Sequence, residues 1–299
     1  MMRYTIKAEG EENMSWVTDI QKALDYIEAN LLEKLHSEEV AKQANTSPFH
    51  FQRTFAILTD MTLGEYIRRR RLTSAAIELG NFDEKIIDIA LKYGYETPEA
   101  FTKAFKKQHH ISPSEVKKYR GKLQLYQPLK IHVTLEGVEP MNHTIISKES
   151  FQVVGIRKNY SLENDENLKE IPKFWNQVNQ DGTCERLLSL NNGSIKGLLG
   201  VCVDYKKQQE IEYWIAVNYD GDSTNFETIT IPASTWAVFQ VTGEMPQAMQ
   251  HTWKQIFSEW FPTSGYRHAG TVELEVYPEG DSNRSDFYSE IWVPVIKEL

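Results

Sequence analysis

Gln52-Arg53 and the alternating set Tyr288, Glu290, Trp292 are the groups in this sequence best suited to recognition chemistry. Amide and guanidinium side chains hydrogen-bond in pairs, which suits Gln to adenine edges and Arg to guanine edges in a DNA major groove. A carboxylate between two rings suits a cation of delocalised charge, through stacking, cation–π attraction and one ion pair. Bond-breaking chemistry has less support. There is no Ser/His/Asp set, no phosphate-cradling glycine run and no Cys/His ligand spacing, so no catalytic residue, metal or cofactor is expected. His109-His110 is the one adjacent histidine pair, and neighbours on a helix do not share a face, so it reads as structural or DNA-proximal.

The reading groups need helices beneath them. From Trp16 to Tyr119 apolar residues recur at three and four, as in Val17, Ile20, Leu24, Ile27 and Leu31, so this half reads as all-α. An internal repeat runs through it. Pro48, Phe51, Phe55, Thr62, Glu65 and Arg70 are matched fifty residues later by Pro98, Phe101, Phe105, Ser112, Glu115 and Arg120, and Ala41 by Ala90 at forty-nine. Each copy is a short helix (Glu38 to Ala44; Ile86 to Tyr93), a tight turn and a second helix with an aromatic pair at i, i+4: a helix-turn-helix, twice. The pair Phe51, Phe55 must face inward, which leaves Phe49, His50, Gln52 and Arg53 for DNA, with Phe49 suited to a thymine methyl. In the second copy the corresponding face is Glu99, Thr102, Lys103 and Lys106, the weaker binder because Glu99 either accepts from cytosine or repels phosphate. Arg68 to Arg71 form a basic run, of which Arg68 is taken as a DNA contact and others as a solvated face.

Charge divides the chain at the same place. Residues 1–120 hold 18 Lys+Arg and 18 Asp+Glu and residues 121–299 hold 15 and 24, so the halves carry 0 and −9 of the total −9. Six of the seven Trp also lie beyond residue 121. At 299 residues the chain is long enough for two domains, and its 40% hydrophobic and 25% charged residues are ordinary for a globular protein. No apolar run of about 18 residues and no signal-peptide core occur, so neither membrane nor secretion is expected and the cytoplasm is. Cys184 and Cys202 are expected to be buried, reduced thiols.

The first half resembles the AraC/XylS family of transcription regulators over roughly residues 16 to 120. The resemblance is carried by Pro48-Phe49-His50-Phe51-Gln52-Arg53 to Phe55, Leu63-Gly64-Glu65-Tyr66, Ile87-Asp88-Ile89-Ala90 to Gly94-Tyr95, Phe101 to Phe105-Lys106, and Ser112-Pro113 to Tyr119-Arg120. It implies two helix-turn-helix motifs joined by one long helix. Pro98 departs from the family, which often has a polar residue near the groove. Two reading helices in one chain would cover two groove segments about 34 Å apart on an asymmetric site of about 20 base pairs.

Beyond Arg120, residues 121–142 read as a linker with an optional short strand at Lys130-Ile131-His132-Val133-Thr134-Leu135. Strand patterns then alternate with two helical ones, Leu168 to Asn179 and Pro246 to Phe261, bounded by Pro172, Pro246 and Pro262. Two strand-helix-strand-strand repeats emerge: Phe151–Asn159, helix, Gly197–Tyr205, Glu212–Asn218; then Thr235–Gly243, helix, Thr271–Tyr277, Phe287–Val295. Ile291, Val293 and Val295 point one way and Tyr288, Glu290 and Trp292 the other; Val272, Leu274 and Val276 likewise oppose Glu273, Glu275 and Tyr277. The aliphatic faces need the helices, which leaves a sheet surface of rings and carboxylates. This half resembles the GyrI-like effector-binding domain over roughly residues 143 to 299, through Glu212-Tyr213-Trp214-Ile215, Ile231 to Phe239, Trp253 to Tyr266, Glu275-Val276-Tyr277 and Glu290-Ile291-Trp292-Val293-Pro294. The resemblance implies a pocket between the repeats for small molecules, often lipophilic cations, with Glu290 matching the counter-charge best and Glu275 second. Tyr288, Trp292, Tyr277, Trp214, Trp236 and Trp175 complete the expected ligand set.

The expectation is therefore a multidomain protein: an all-α tandem helix-turn-helix domain at 14–120, a linker at 121–142 and an α+β domain of two repeats at 143–299. Its function would be ligand-responsive transcription regulation, with double-stranded promoter DNA, a small-molecule effector and RNA polymerase as partners. Two alternatives stay open for the second half. One is a hydrolase of small molecules, with a pocket Glu beside Tyr288 as general base; the other is a protein-docking module. A closed, acidic, ring-lined cavity argues for sensing, and a flat acidic surface for docking.

Overall fold

The computed structural model describes residues 15–131, 141–162, 166–203, 210–222 and 225–297. Helices α1 (Ser15–Ala29), α2 (Ser37–Gln43), α3 (Pro48–Thr59), α4 (Leu63–Asn81), α5 (Ile86–Lys92) and α6 (Pro98–His109) build the first half, followed by a 3₁₀ turn at Pro113–Lys118. The repeat read from the sequence is present down to the backbone. Asn45 (φ 51°) and Gly94 (φ 83°) supply the left-handed residue in the two turns, and Asp60 (φ 52°) and His110 (φ 62°) end α3 and α6. Ser47 Oγ accepts from His50 N and Thr97 Oγ1 from Ala100 N, each followed by proline at the first helical position. Phe51 and Phe55 sit in one core with Ile20, Leu24 and Ile27 of α1, while Phe101 and Phe105 sit in another with Leu72 and Ala76 of α4. Helix α4 thus joins two small cores.

The stretch after Arg120 is strapped to the helices. Tyr126 N donates to Thr73 Oγ1, Leu129 N to Tyr66 Oη and Ile131 N to Gln21 Oε1, and Leu123, Leu129 and Ile131 pack on the two cores. Residues 121–131 form no strand, and the remainder of the optional strand, from His132, lies outside the described residues.

The second half is an antiparallel sheet with helices on one side. Its strands are β1 (His143–Lys148), β2 (Phe151–Ser161), β3 (Leu198–Val203), β4 (Glu210–Asn218), β5 (Glu227–Ile231), β6 (Ser234–Thr242), β7 (Tyr266–His268), β8 (Glu273–Tyr277) and β9 (Tyr288–Lys297), and their order is β1-β6-β9-β8-β3-β4-β2-β5, with β7 on β9. Helices α7 (Glu166–Gln180) and α8 (Thr183–Leu190) belong to the first repeat, and α9 (Gln247–Gln255) to the second, continuing through a π turn into α10 (Phe261–Ser264). The repeats β2-α7-β3-β4 and β6-α9-β8-β9 meet where β3 pairs with β8. Helix α7 runs through Pro172, which was expected to bound it. The short elements α8, β1, β5 and β7 carry too few periodic residues to stand out in the sequence.

Strands β5 and β6 lie near opposite ends of the sheet order yet are joined by only Pro232 and Ala233. The sheet must therefore curl until its ends nearly meet. Its inner face is a core of Val201, Trp214, Trp236, Leu274, Val276 and Trp292. On the outer face, α7 and α8 cover Val154, Tyr213, Ile215 and Val217, and α9 with α10 covers Phe239, Val241, Ile291 and Val293. Between these helical groups runs a cleft floored by β3 and β8, where Cys202, Glu273, Glu275 and Tyr277 point outward.

Candidate effector site and DNA-reading surface

Register decides which residues share the cleft. Glu275 pairs with Ile291 and Val276 with Glu290, and directly opposed residues point to the same face of a sheet. Glu275 and Glu290 therefore lie on opposite faces, and the expected ligand set divides. Glu290, Tyr288, Trp292, Trp214 and Trp236 belong to the inner face, where Trp292 Nε1 donates to Glu290 Oε2 at 2.7 Å and Tyr288 Oη to Glu290 Oε1 at 2.5 Å. Trp214 Nε1 donates to Glu212 Oε1 at 2.6 Å in the same way, one repeat earlier. Glu275, Tyr277 and Trp175 belong to the cleft. Trp175 and Tyr277 meet edge to face with centroids 5.3 Å apart, and Trp175 Nε1 donates to Tyr213 Oη at 2.9 Å.

The cleft is occupied by α3. The guanidinium of Arg53 lies over the Trp253 ring, 3.9 Å from its centroid, and donates to Glu275 Oε1 at 3.0 Å and to Glu273 Oε2. Glu275 also accepts from Trp253 Nε1 at 2.8 Å and from Tyr277 Oη at 3.0 Å, so its two oxygens face three donors. Phe49 packs into the outer core with Val154, Phe174 and Tyr213. His50 stacks on His268 with centroids 4.0 Å apart and tilts against Phe257 at 5.5 Å. Ile57 and Leu58 pack on the core built by α9, and Lys254 Nζ reaches Asp60 Oδ2 at 2.8 Å. The expectation that Phe49, Gln52 and Arg53 form an open face is corrected: Phe49 and His50 are buried, the Arg53 side chain is 15% exposed, and Gln52 is half-buried. The reason is tertiary. An apolar ring and a guanidinium on one helix face complement an apolar cleft with two carboxylates.

Burial shapes the charges. It pushes the His50 imidazole down to about 4, with His268 adding to the shift, so His50 is neutral at pH 7. Burial alone would raise the Glu273 carboxyl, but Arg53 and the two imidazoles overcome it and hold it well below the usual range. Burial also works against the Arg53 charge and is outweighed by Glu273 and Glu275. Burial and the Glu275 charge hold the Tyr213 and Tyr277 hydroxyls well above their usual value, which keeps both as neutral donors. His50 Nδ1 and His268 Nε2 lie 3.4 and 3.0 Å from Glu273 Oε1, close enough to share an ion. Gly270 N, however, donates to His268 Nδ1 at 2.8 Å, which puts the ring proton on Nε2, facing the carboxylate. That nitrogen has no lone pair to give, and the trio is a carboxylate flanked by two imidazoles.

Helix α6 is open. Glu99, Lys103 and Lys106 of α6 are exposed and Thr102 is half-buried. Within the basic run, Arg68 is exposed, whereas Arg70 grips Glu28 with Nε and Nη2 and Arg71 caps the carbonyls of Leu31 and Glu33 at 2.7 Å each. Arg69 pairs with Glu65 and lies over Tyr126 at 4.7 Å. His109 is buried against Leu72 O, and is structural.

Residues 144–295, just over half of the 299-residue chain, match the integron-associated effector binding protein family, and residues 40–119 match a helix-turn-helix domain family. The chain is an AraC-type DNA-binding regulator with an effector-binding domain. YbfP of Bacillus subtilis, an uncharacterized HTH-type transcriptional regulator, is 44% identical to it over 94 residues, which are 31% of this chain and 32% of YbfP. Regulatory protein SoxS of Salmonella typhimurium is 37% identical over 110 residues, 37% of this chain and 100% of SoxS. Among solved structures, SAV2435 bound to tetraphenylphosphonium aligns over 52% of this chain and 94% of its own, at 26% identity and a TM-score of 0.48.

In this AraC-type regulator the sequence reading missed three cleft residues. Glu273 lies two residues before Glu275 in one strand, so the period of two already placed both on one face. Trp253 sits on the buried side of α9 and looks like any core aromatic until its indole N–H is seen on Glu275. His268, on a three-residue strand, gives no local signal. Among the described residues no helix is long and apolar enough to cross a membrane.

Proposed function

We propose that this regulator acts in the cytoplasm on promoter DNA and RNA polymerase, reading DNA with α3 and α6 and sensing a small lipophilic cation in the cleft beside Trp253, Glu273 and Glu275. The division into 14–120, 121–142 and 143–299 is part of this reading. One observation carries it: the cleft already holds a cation, the Arg53 guanidinium, by ring stacking and two carboxylates. That is the chemistry a soluble aromatic cation would use. Among the carboxylates first expected to be the counter-charge, Glu275 takes the place of Glu290.

The test is titration calorimetry with tetraphenylphosphonium on the Arg53→Ala chain, in which the place of the guanidinium beside Trp253, Glu273 and Glu275 is vacated. Adding Glu275→Gln is expected to weaken binding about tenfold, ~1.4 kcal/mol, while adding Glu290→Gln leaves it unchanged. The reverse order moves the site to the inner face. Binding of neutral or anionic molecules only, with no cation bound, refutes the proposal.

A further inference from the structure

We infer that the effector cleft is the docking place of the chain's own reading helix, so that effector and promoter DNA cooperate because each requires Arg53 to leave it. This rests on the cation-sensing reading above and extends it to regulation and to the chemical class of the effector.

Helix α3 has no free face left in this arrangement. Phe51 and Phe55 are fully buried in the helical core, and on the other side Phe49, His50, Arg53, Ile57 and Leu58 are engaged by the effector domain. A helix reads a major groove about 12 Å wide only when one face of it is bare. The same side chain cannot be in both places: Arg53 cannot reach a guanine edge while it is 15% exposed, stacked on Trp253 and held by Glu273 and Glu275. Helix α6 has no such restraint, since Glu99, Lys103 and Lys106 are exposed. The docked chain therefore offers one of its two reading helices to DNA. A molecule that takes the Arg53 position releases the other, and by linkage DNA tightens the binding of that molecule by the same factor.

The internal occupant also defines the external one. Arg53 presents a flat, delocalised cation that stacks on an indole and donates N–H groups to two separate carboxylates. An aromatic amidine or guanidine reproduces all three features; a bulky onium ion reproduces the charge and the apolar contact without the N–H donors. The effector class assigned is thus a planar aromatic amidinium or guanidinium, for which benzamidine is the probe.

Three measurements on the full chain test this. Calorimetry on Arg53→Ala compares benzamidine with tetraphenylphosphonium. Fluorescence anisotropy with a selected duplex then measures DNA affinity of the wild type with and without benzamidine, and of Glu273→Gln/Glu275→Gln without it. Saturating benzamidine is expected to tighten DNA binding about tenfold, and the double variant to bind that tightly with no ligand and no further response, as for a competent state otherwise populated to about one part in ten. Because the double variant alters buried groups, a second one leaves them intact. Asp60→Cys/Lys254→Cys, at side chains 78% and 45% exposed, is joined by a short bismaleimide and is expected to lose the benzamidine response and to footprint through α6 alone. If benzamidine binds but DNA affinity does not change, or if the joined chain still footprints through both helices, the docking inference is overturned while the sensor reading stands. If tetraphenylphosphonium binds and benzamidine does not, the effector class is wrong. If neither cation binds, the sensor reading itself falls.

Discussion

Lowering the pH should loosen the docking of α3, and His50 sets the size of the effect. Its imidazole is held at about 4 when docked and returns toward the ordinary 6.5 when water reaches it. The docked state therefore disfavours protonation. Its stability is fully present above pH 6.5 and is lost as the pH falls from 6.5 toward 4. Between pH 7.5 and 5.5 the ratio of the two protonation polynomials changes about tenfold, ~1.4 kcal/mol in favour of the undocked state. The groups facing His50 are His268 on β7, Glu273 on β8 and Arg53 on its own helix, with Phe257 closing the apolar side. Glu273 acts in the same direction only at lower pH. Its carboxyl is depressed when docked, so it contributes above the ordinary carboxylate value and is lost below it. Single-molecule energy transfer between dyes at Lys103→Cys and Glu259→Cys, both exposed positions on different domains, reads the two populations directly. The undocked-to-docked ratio should rise about tenfold from pH 7.5 to 5.5, and His50→Gln should flatten the rise. A ratio independent of pH in the wild type, or a rise of equal size in His50→Gln, would refute the assignment of His50 as the titrating group.

Two further outcomes follow from the DNA-binding half. Lys103→Ala, on the open face of α6, should weaken binding to all sequences alike and lower the slope of log affinity against log salt by about one, measured by anisotropy across a salt series. Gly94→Ala should destabilise the second helix-turn-helix by at least ~1 kcal/mol in a denaturant melt, because φ is +83° there and the added Cβ would stand 2.8 Å from Arg71 Nη1.

Much of this molecule is written locally. The two helix-turn-helix motifs were legible because caps, prolines and the Phe51/Phe55 and Phe101/Phe105 pairs act within a few residues of themselves, and the offset of fifty doubles each signal. Strand alternation was equally legible: within β8 and within β9 the carboxylates and rings fall on one face, as read. What alternation does not contain is the phase between strands. Shifting one strand by a single residue moves its whole set to the other side, and the pairing of Val276 with Glu290 places Glu275 and Glu290 on opposite faces of one sheet. Each carboxylate with its rings looked alike in the sequence, and only the register tells the cleft from the inner core.

The docking of α3 was illegible for a different reason. Residue type alone fits Arg53 equally to a guanine edge and to a carboxylate cage, because both offer two acceptors in a plane. Sequence separation hides the second option, since Arg53 and Glu273 are 220 residues apart. The division of charge does carry a trace of it. The excess acid lies wholly in the second half, and part of it, the buried Glu273 and the half-buried Glu275, stands where a carboxylate is costly without a partner. If the cleft takes a soluble cation, as proposed, the Arg53 guanidinium is its stand-in. The same arginine is the one proposed to read DNA, and that identity of groups is what would convert the arrival of a ligand into a change in DNA binding.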